Sequence, residues 1–244
     1  YLKPDKKGRM RYNSLNHLIP EAHKPYYNVW NVDVIGNKVF FHTYQRIFKF
    51  DGQQIQVFQL SGRNSEADFE AGFEYRGQYH VIAEGLGLCR VEGDSLSPLI
   101  EEEEVPEEVE TVIPYHDQEF LFIAQDRLFR LDMGTRKVRP FPLSDPGYFK
   151  VNKLYKGLVR YGNHLIVGTS SGKVVLMNPG GEIIRVLDDK EGLSTGSVYK
   201  LYNDRQNNLW VATSNGIARI ELSSPISFWG SRKGLHGYVS DLCR

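Results

Sequence analysis

Five short apolar runs recur along the chain at nearly constant intervals: IFKF (47–50), LCRV (88–91), LFRL (128–131), VVLM (174–177) and IARI (217–220). Their last residues, 50, 91, 131, 177 and 220, are spaced by 41, 40, 46 and 43 positions. A period of about 40–45 residues is that of a four-stranded propeller blade and far exceeds a leucine-rich repeat. Each run is preceded by a second strand-like segment: VFFHT, YHVIAEG, FLFIAQD, LIVGTSSG and LWVATSNG. These end in small or polar residues that suit a hairpin turn, of which Ser214-Asn215-Gly216 is the clearest. A further turn follows (DGQQ, EGDS, DMGTRK, NPGG, and less clearly the SSP region near 223), then a short outer strand such as IQVFQL (55–60), VRPFPL (138–143) or IIRVLD (183–188). Upstream, NVWNVDVIG, FEAGFEYRG, ETVIPYHDQ, LVRYG and SVYKLYND supply an opening strand.

Four strands per repeat predict an all-β fold, a β-propeller. One blade leaves both faces of its sheet bare, so each repeat needs neighbours. The expected blades cover 27–67, 68–108, 109–148, 149–193 and 194–235. Residues 1–26 are expected to hold the outer strand of a preceding blade (RYNSLNHLIP, 11–20) and a connector. Residues 236–244 are expected to begin a further blade, because EGLSTGSVYKL (191–201) returns as KGLHGYVSDL (233–242), with Gly192 and Gly234 42 positions apart. The propeller is thus expected to be incomplete in this chain, about five complete blades plus partial flanking ones, and to be finished by more sequence, another copy or flanking domains.

A chain of 244 residues with 41% hydrophobic content can bury a sizeable core. Thirty basic residues against thirty acidic ones leave no overall positive field, so nucleic acid is not an expected partner. No apolar run reaches the roughly 18 residues of a membrane helix.

The fifth unit, GLSTGSVYKLYNDRQNNLWVATSNGIARIEL (192–222), resembles the two-component regulator propeller repeat through Gly192, Leu193, Val198, Asp204, Asn208, Leu209, Trp210, Thr213, Asn215 and Gly216. The fourth unit resembles it through VGTSSGKVVLMN, the sixth through its opening strand, and the first three by spacing and strand pattern. The resemblance implies a periplasmic sensor segment of a two-component receptor that detects an oligosaccharide or a similar polar ligand. A membrane anchor in other regions of the receptor and a histidine kinase beyond this chain are implied with it, while self-association into a homodimer is expected from the unpaired blade faces and edges. A propeller lyase or glycosidase and a protein-binding scaffold are the alternative classes.

No catalytic residue, cofactor or metal is expected. The seven histidines lack a His-x-x-x-His spacing, and no Gly-x-Ser-x-Gly elbow, phosphate loop or dinucleotide fingerprint is present. His42 and His80 occupy comparable strands of consecutive blades, where ordinary strand or surface roles outweigh a channel-facing one. The run EEEEVPEEVE (101–110) reads as a solvated connector, its like charges keeping it exposed. Cys89, in GLCRV, reads as a small buried hydrophobe, with a Cys89–Cys243 bridge as the lesser alternative. Trp210 is expected to fill space between blades, while Asp204, Asn208 and Asn215 hold turns. The candidate ligand-binding residues are Trp229 and Arg232, in SFWGSRKGL, and Tyr27 and Trp30, beside Tyr26: aromatic faces and polar groups able to stack on a sugar and hydrogen-bond its hydroxyls.

Overall fold

The computed structural model describes residues 2–26, 28–60 and 68–222. The chain opens with a hairpin, β1 (Leu2–Pro4) against β2 (Met10–Tyr12), followed by single 3-10 turns at Asn16–Leu18 and Glu21–His23. The stretch 11–20 is therefore strand only at its start. Asn16 carries the first of these turns, its backbone N–H donating to Ser14 Oγ at 3.2 Å, a local alternative to strand pairing.

Five meandering sheets follow, each pairing consecutive strands in order. The first holds β3 (Asn31–Ile35), β4 (Lys38–His42), β5 (Arg46–Phe50) and β6 (Ile55–Gln59). The second holds β7 (Phe69–Tyr75), β8 (Gln78–Ala83), β9 (Gly87–Glu92) and β10 (Ser95–Ile100). The third holds β11 (Val109–His116), β12 (Glu119–Ala124), β13 (Arg127–Asp132) and β14 (Lys137–Pro140). The fourth holds β15 (Leu154–Tyr161), β16 (His164–Thr169), β17 (Val174–Met177) and β18 (Ile183–Leu187). The fifth holds β19 (Val198–Asn203), β20 (Asn208–Thr213) and β21 (Gly216–Glu221); its expected outer strand, near 223, lies outside the described residues. This is a five-bladed propeller arrangement. A six-residue helix, α1 (Pro146–Val151), precedes the fourth blade, and Asp145 caps it by accepting the Tyr148 N–H at 2.9 Å.

Burial explains the strand composition. The second strand of a blade is covered on both faces, so β8, β12 and β16 are buried from their second residue to their last and read as nearly continuous apolar runs. Two compact units emerge, one of residues 1–112, 116–120 and 131–138, the other of 113–115, 121–130 and 139–244. In the first, Phe40, Ile47 and Phe58 pack with Phe69, Tyr79, Val81 and Cys89. In the second, Leu121, Ile123 and Leu128 pack with Leu158, Leu165 and Met177, while Ile166 and Val174 meet Val198, Leu209 and Val211. Burying each such side chain contributes about 1.5–3 kcal/mol, which is why the repeat holds where its sequence diverges. The fourth and fifth blades approach closely at Gly168, where a Cβ would lie 2.5 Å from Val198 Cγ1.

Candidate functional site

Of the four candidate ligand residues, Trp30 is described; Tyr27, Trp229 and Arg232 lie outside the described residues. Trp30 stands at the entry to β3, its backbone N–H donating to the carbonyl of His42 at 3.0 Å. That bond brings its ring beside two others at the exit of β4. Its centroid lies 5.3 Å from the His42 ring, edge-on, and 6.0 Å from that of Tyr44, the planes 32° apart. Tyr44 is 53% exposed, so one face of the pair meets solvent. Thr43 fixes the turn that carries Tyr44: its hydroxyl donates to the Arg46 carbonyl at 2.9 Å and accepts the Arg46 N–H at 3.0 Å. Tyr26 packs on Phe48 at 5.1 Å and hydrogen-bonds Asn16 through its hydroxyl.

Beside this aromatic pair runs a polar relay, buried at His42 and Tyr79 and half-buried at Asp33. Asp33 Oδ2 accepts from Asn31 Nδ2 at 3.0 Å and from the Tyr79 hydroxyl at 2.6 Å, and the Tyr79 oxygen also meets His42 Nε2. A carboxylate only accepts, so the single phenolic proton goes to Asp33 and the Tyr79 oxygen takes its second bond from a protonated Nε2. His42 is then the Nε2–H tautomer, with a bare lone pair on Nδ1. Burial, with no compensating charge, holds its pKa down at about 3, so the ring is neutral. Tyr79 is held protonated, first by burial and then by the Asp33 charge. Among the described residues, two buried polar atoms here, His42 Nδ1 and Trp30 Nε1, find no hydrogen-bond partner; one is an acceptor and the other a donor. The relay fits because position 72 is glycine: a Cβ there would lie 2.1 Å from the Tyr79 hydroxyl oxygen and 2.8 Å from His42 Nε2.

Sequence reasoning found Trp30 but missed this relay. Its members are separated by 37 and 46 positions, and no local motif announces the pairing. His42 and His80 lie in β4 and β8, in keeping with the strand reading, and both are buried, which corrects the surface alternative. His80 stacks on Phe73 at 5.5 Å, and burial lowers its pKa.

The repeat-signature residues of the fifth blade assemble a different device. Asp204 Oδ1 accepts the N–H groups of Gln206 at 2.9 Å and Asn208 at 2.8 Å, while Oδ2 accepts Asn208 Nδ2 and the Trp210 indole N–H, each at 2.9 Å. The side chains of Asn208 and Trp210 lead in holding its carboxyl near pKa 2. Trp210 is 39% exposed, so it does not fill the space between blades as expected; Leu209 and Val211, fully buried on either side, do that. Period-two alternation puts Trp210 on the opposite face, where its N–H closes the turn. The Asn215 N–H donates to Thr213 Oγ1 at 3.2 Å, a turn-holding role as expected.

The acidic run is exposed at Glu101–Glu104, with Val105 and Val109 buried. It is tied at two points: Glu102 Oε1 accepts the Gly85 N–H at 2.8 Å, and both oxygens of Glu70 accept the N–H groups of Glu108 and Val109 at 2.9 Å. Cys89 is a free, buried thiol, its pKa pushed up to about 11 by burial and then by the Glu101 charge, as the small-hydrophobe reading requires; Cys243 lies outside the described residues. Among the described residues, no group of three His, Cys, Asp or Glu could hold a metal ion, and no helix is long and apolar enough to cross a membrane.

Comparison with known proteins supports the repeat reading. Residues 180–215 match the two component regulator propeller family, so the chain carries such a repeat at the close of the fourth blade and through most of the fifth. No curated protein matches the chain significantly. Among solved structures, it is similar to the extracellular domain assigned to the hybrid two component system BT3049 of B. thetaiotaomicron (TM-score 0.65, 15% identity, 84% of this chain and 28% of that one). It is also similar to that of BT4673 from the same organism (TM-score 0.60, 17% identity, 81% and 28%). The WD40 β-propeller domain of Doa1 aligns as well (TM-score 0.61, 13% identity, 85% and 66%). At these identities the likeness shows the propeller fold. The chain spans under a third of the length of the two bacterial extracellular domains.

Proposed function

We propose that this chain is a non-catalytic part of the ectodomain of a two-component signalling receptor, standing in the periplasm, binding an oligosaccharide or similar polar ligand and signalling to a histidine kinase elsewhere in the receptor. The observation that carries the reading is the regulator-propeller repeat at 180–215, set in a fold shared with bacterial sensor ectodomains. The ligand class is supported by the exposed Tyr44 beside the half-buried Trp30: an aromatic face accepts the apolar face of a sugar ring, and loops on a rigid sheet suit recognition. Tyr27, Trp229 and Arg232 complete the proposed ligand set, and self-association into a homodimer would couple binding to output. A kinase responds if the ligand binds one receptor arrangement better than the other.

The test is a thermal-shift screen across neutral and acidic oligosaccharides, with product analysis on every glycan that binds. A ligand that binds the folded state alone raises the melting temperature. A shift without turnover, lost in Trp30→Ala, is the expected result. Turnover of the bound glycan would overturn the non-catalytic assignment, and flat responses to the whole panel would overturn the ligand class.

A further inference from the structure

The first compact unit holds a cavity of about 580 Å³ between the first two sheets, at the end of β4 remote from Trp30. Such a volume suits a small ligand. Its mouth is formed by the hairpin tips at Gly36, Gly77 and Gly93, and Phe40 and Tyr79, stacked at 4.0 Å, form one wall. Two lysines reach it from one face of the first sheet. Phe40 stands directly across from Lys49 in the β4–β5 register, and Lys38 lies two residues before Phe40, so their side chains share that face.

The charges around the cavity are unevenly engaged. Glu92, also in the lining, pairs with Arg90 and accepts the Ser97 hydroxyl at 2.8 Å. Asp51 accepts the N–H groups of Gln53 and Gln54, each at 2.9 Å, and Asp94 takes the side-chain amide of Gln56. Among the described residues, neither Lys38 nor Lys49 forms an ion pair. Lys49 donates to the neutral Gln56 Oε1 at 2.8 Å and lies 5.8 Å from the Phe58 ring. Its pKa is lowered, first by burial and then by the charge of Lys38, against the smaller opposing pull of Asp94 and Asp51; a bound anion would add to that pull. Asp94 and Asp51 act on Lys49 without contacting it, the former through Gln56, so both lysines keep donors facing the cavity.

We propose that this cavity is a binding site for an anionic group, such as the carboxylate of an acidic sugar, received between Lys38 and Lys49. The lysines supply charge-assisted donors, and the stacked wall excludes water from one side, which strengthens the contact. Lys38, at the rim, draws the anion in, and Lys49, partly desolvated, fixes it. The assignment is independent of the sensor reading, since it concerns a different part of the blade and requires no downstream output.

Isothermal titration of the intact chain with glucuronate, glucose and inorganic sulfate tests it. Glucuronate is expected to bind and glucose not to. Lys49→Gln is expected to weaken glucuronate by about tenfold or more, while Lys49→Arg, which keeps the charge, retains most of the affinity. Melting curves of both variants establish that each is folded. Sulfate binding as tightly as glucuronate, with the same lysine dependence, would assign the site to free anions; tighter glucuronate would assign it to acidic sugars; either supports the proposal. Equal binding of glucose and glucuronate, no binding of either anion, or binding unchanged in the Lys38→Gln, Lys49→Gln double variant would overturn it. A neutral glycan that shifts the melting temperature while these anions fail would leave the sensor reading standing alone.

Discussion

The Asp204 clasp in the fifth blade and the His42–Tyr79–Asp33 relay between the first two blades are both polar networks built on one aspartate, and they differ in every other respect. The clasp is local: its partners lie within six positions of Asp204. It sits at the surface and closes a turn. The relay joins residues 37 and 46 positions apart, is buried at its His42–Tyr79 end, and exists because two blades pack face to face. A local network stabilises the blade that contains it, whereas a long-range one makes one blade depend on its neighbour. Low dielectric in the interior also raises what is at stake in the relay, because a buried group that loses its partner keeps its desolvation cost.

Three experiments bear on that contrast. The largest effect is expected from Gly72→Ala, which drives a methyl group into the Tyr79 hydroxyl and His42, so that both buried side chains must shift and their hydrogen bond is broken. A loss of about 3 kcal/mol is expected in denaturant unfolding. A loss near zero would show that the blades are not locked together here.

A pH series comes next. His42 is neutral in the fold down to about pH 3, while in the unfolded chain it protonates below about 6.5. The unfolded state therefore binds more protons within that window, and stability falls as pH drops from about 6.5 towards 3. Melting temperatures from pH 7 to pH 4 are expected to decline in the native chain and to decline less in His42→Gln. Parallel curves would remove His42 as the cause.

The smallest effect is expected from Asp204→Ala. The clasp is exposed, and its lowered pKa confines any acid loss to the interval from about 3.8 down to about 2. The expected result is a melting temperature closer to the native value than that of Gly72→Ala, with Trp210 fluorescence shifting as its indole N–H loses the carboxylate. A larger fall than that of Gly72→Ala would reverse the ranking of local and long-range networks.

The same contrast explains how much could be read from the sequence. The blades were legible because their cause is periodic: a buried second strand such as FLFIAQD repeats in each unit, and Ser214-Asn215-Gly216 marks its hairpin. The clasp residues are legible as turn holders, whereas the face of Trp210 follows from its alternation with the buried Leu209 and Val211 and not from its size. Helix α1 had a signal in Asp145-Pro146, an N-cap followed by proline. The relay had none. Asp33, His42 and Tyr79 are unremarkable in their own strands, and their meeting is a property of packing. Lys38 and Lys49 are likewise ordinary strand lysines until the sheet register puts them on one face.

The acidic run carries a last consequence, in the language of polymer chains. A highly charged segment free at one end would sample a wide volume and lengthen by self-repulsion. Here the second blade grips it near each end, Gly85 holding Glu102 and Glu70 holding Glu108 and Val109, so the slack between anchors is only a few residues. The conformational entropy of this segment is surrendered within one blade, and its charge is displayed at a fixed place on the surface.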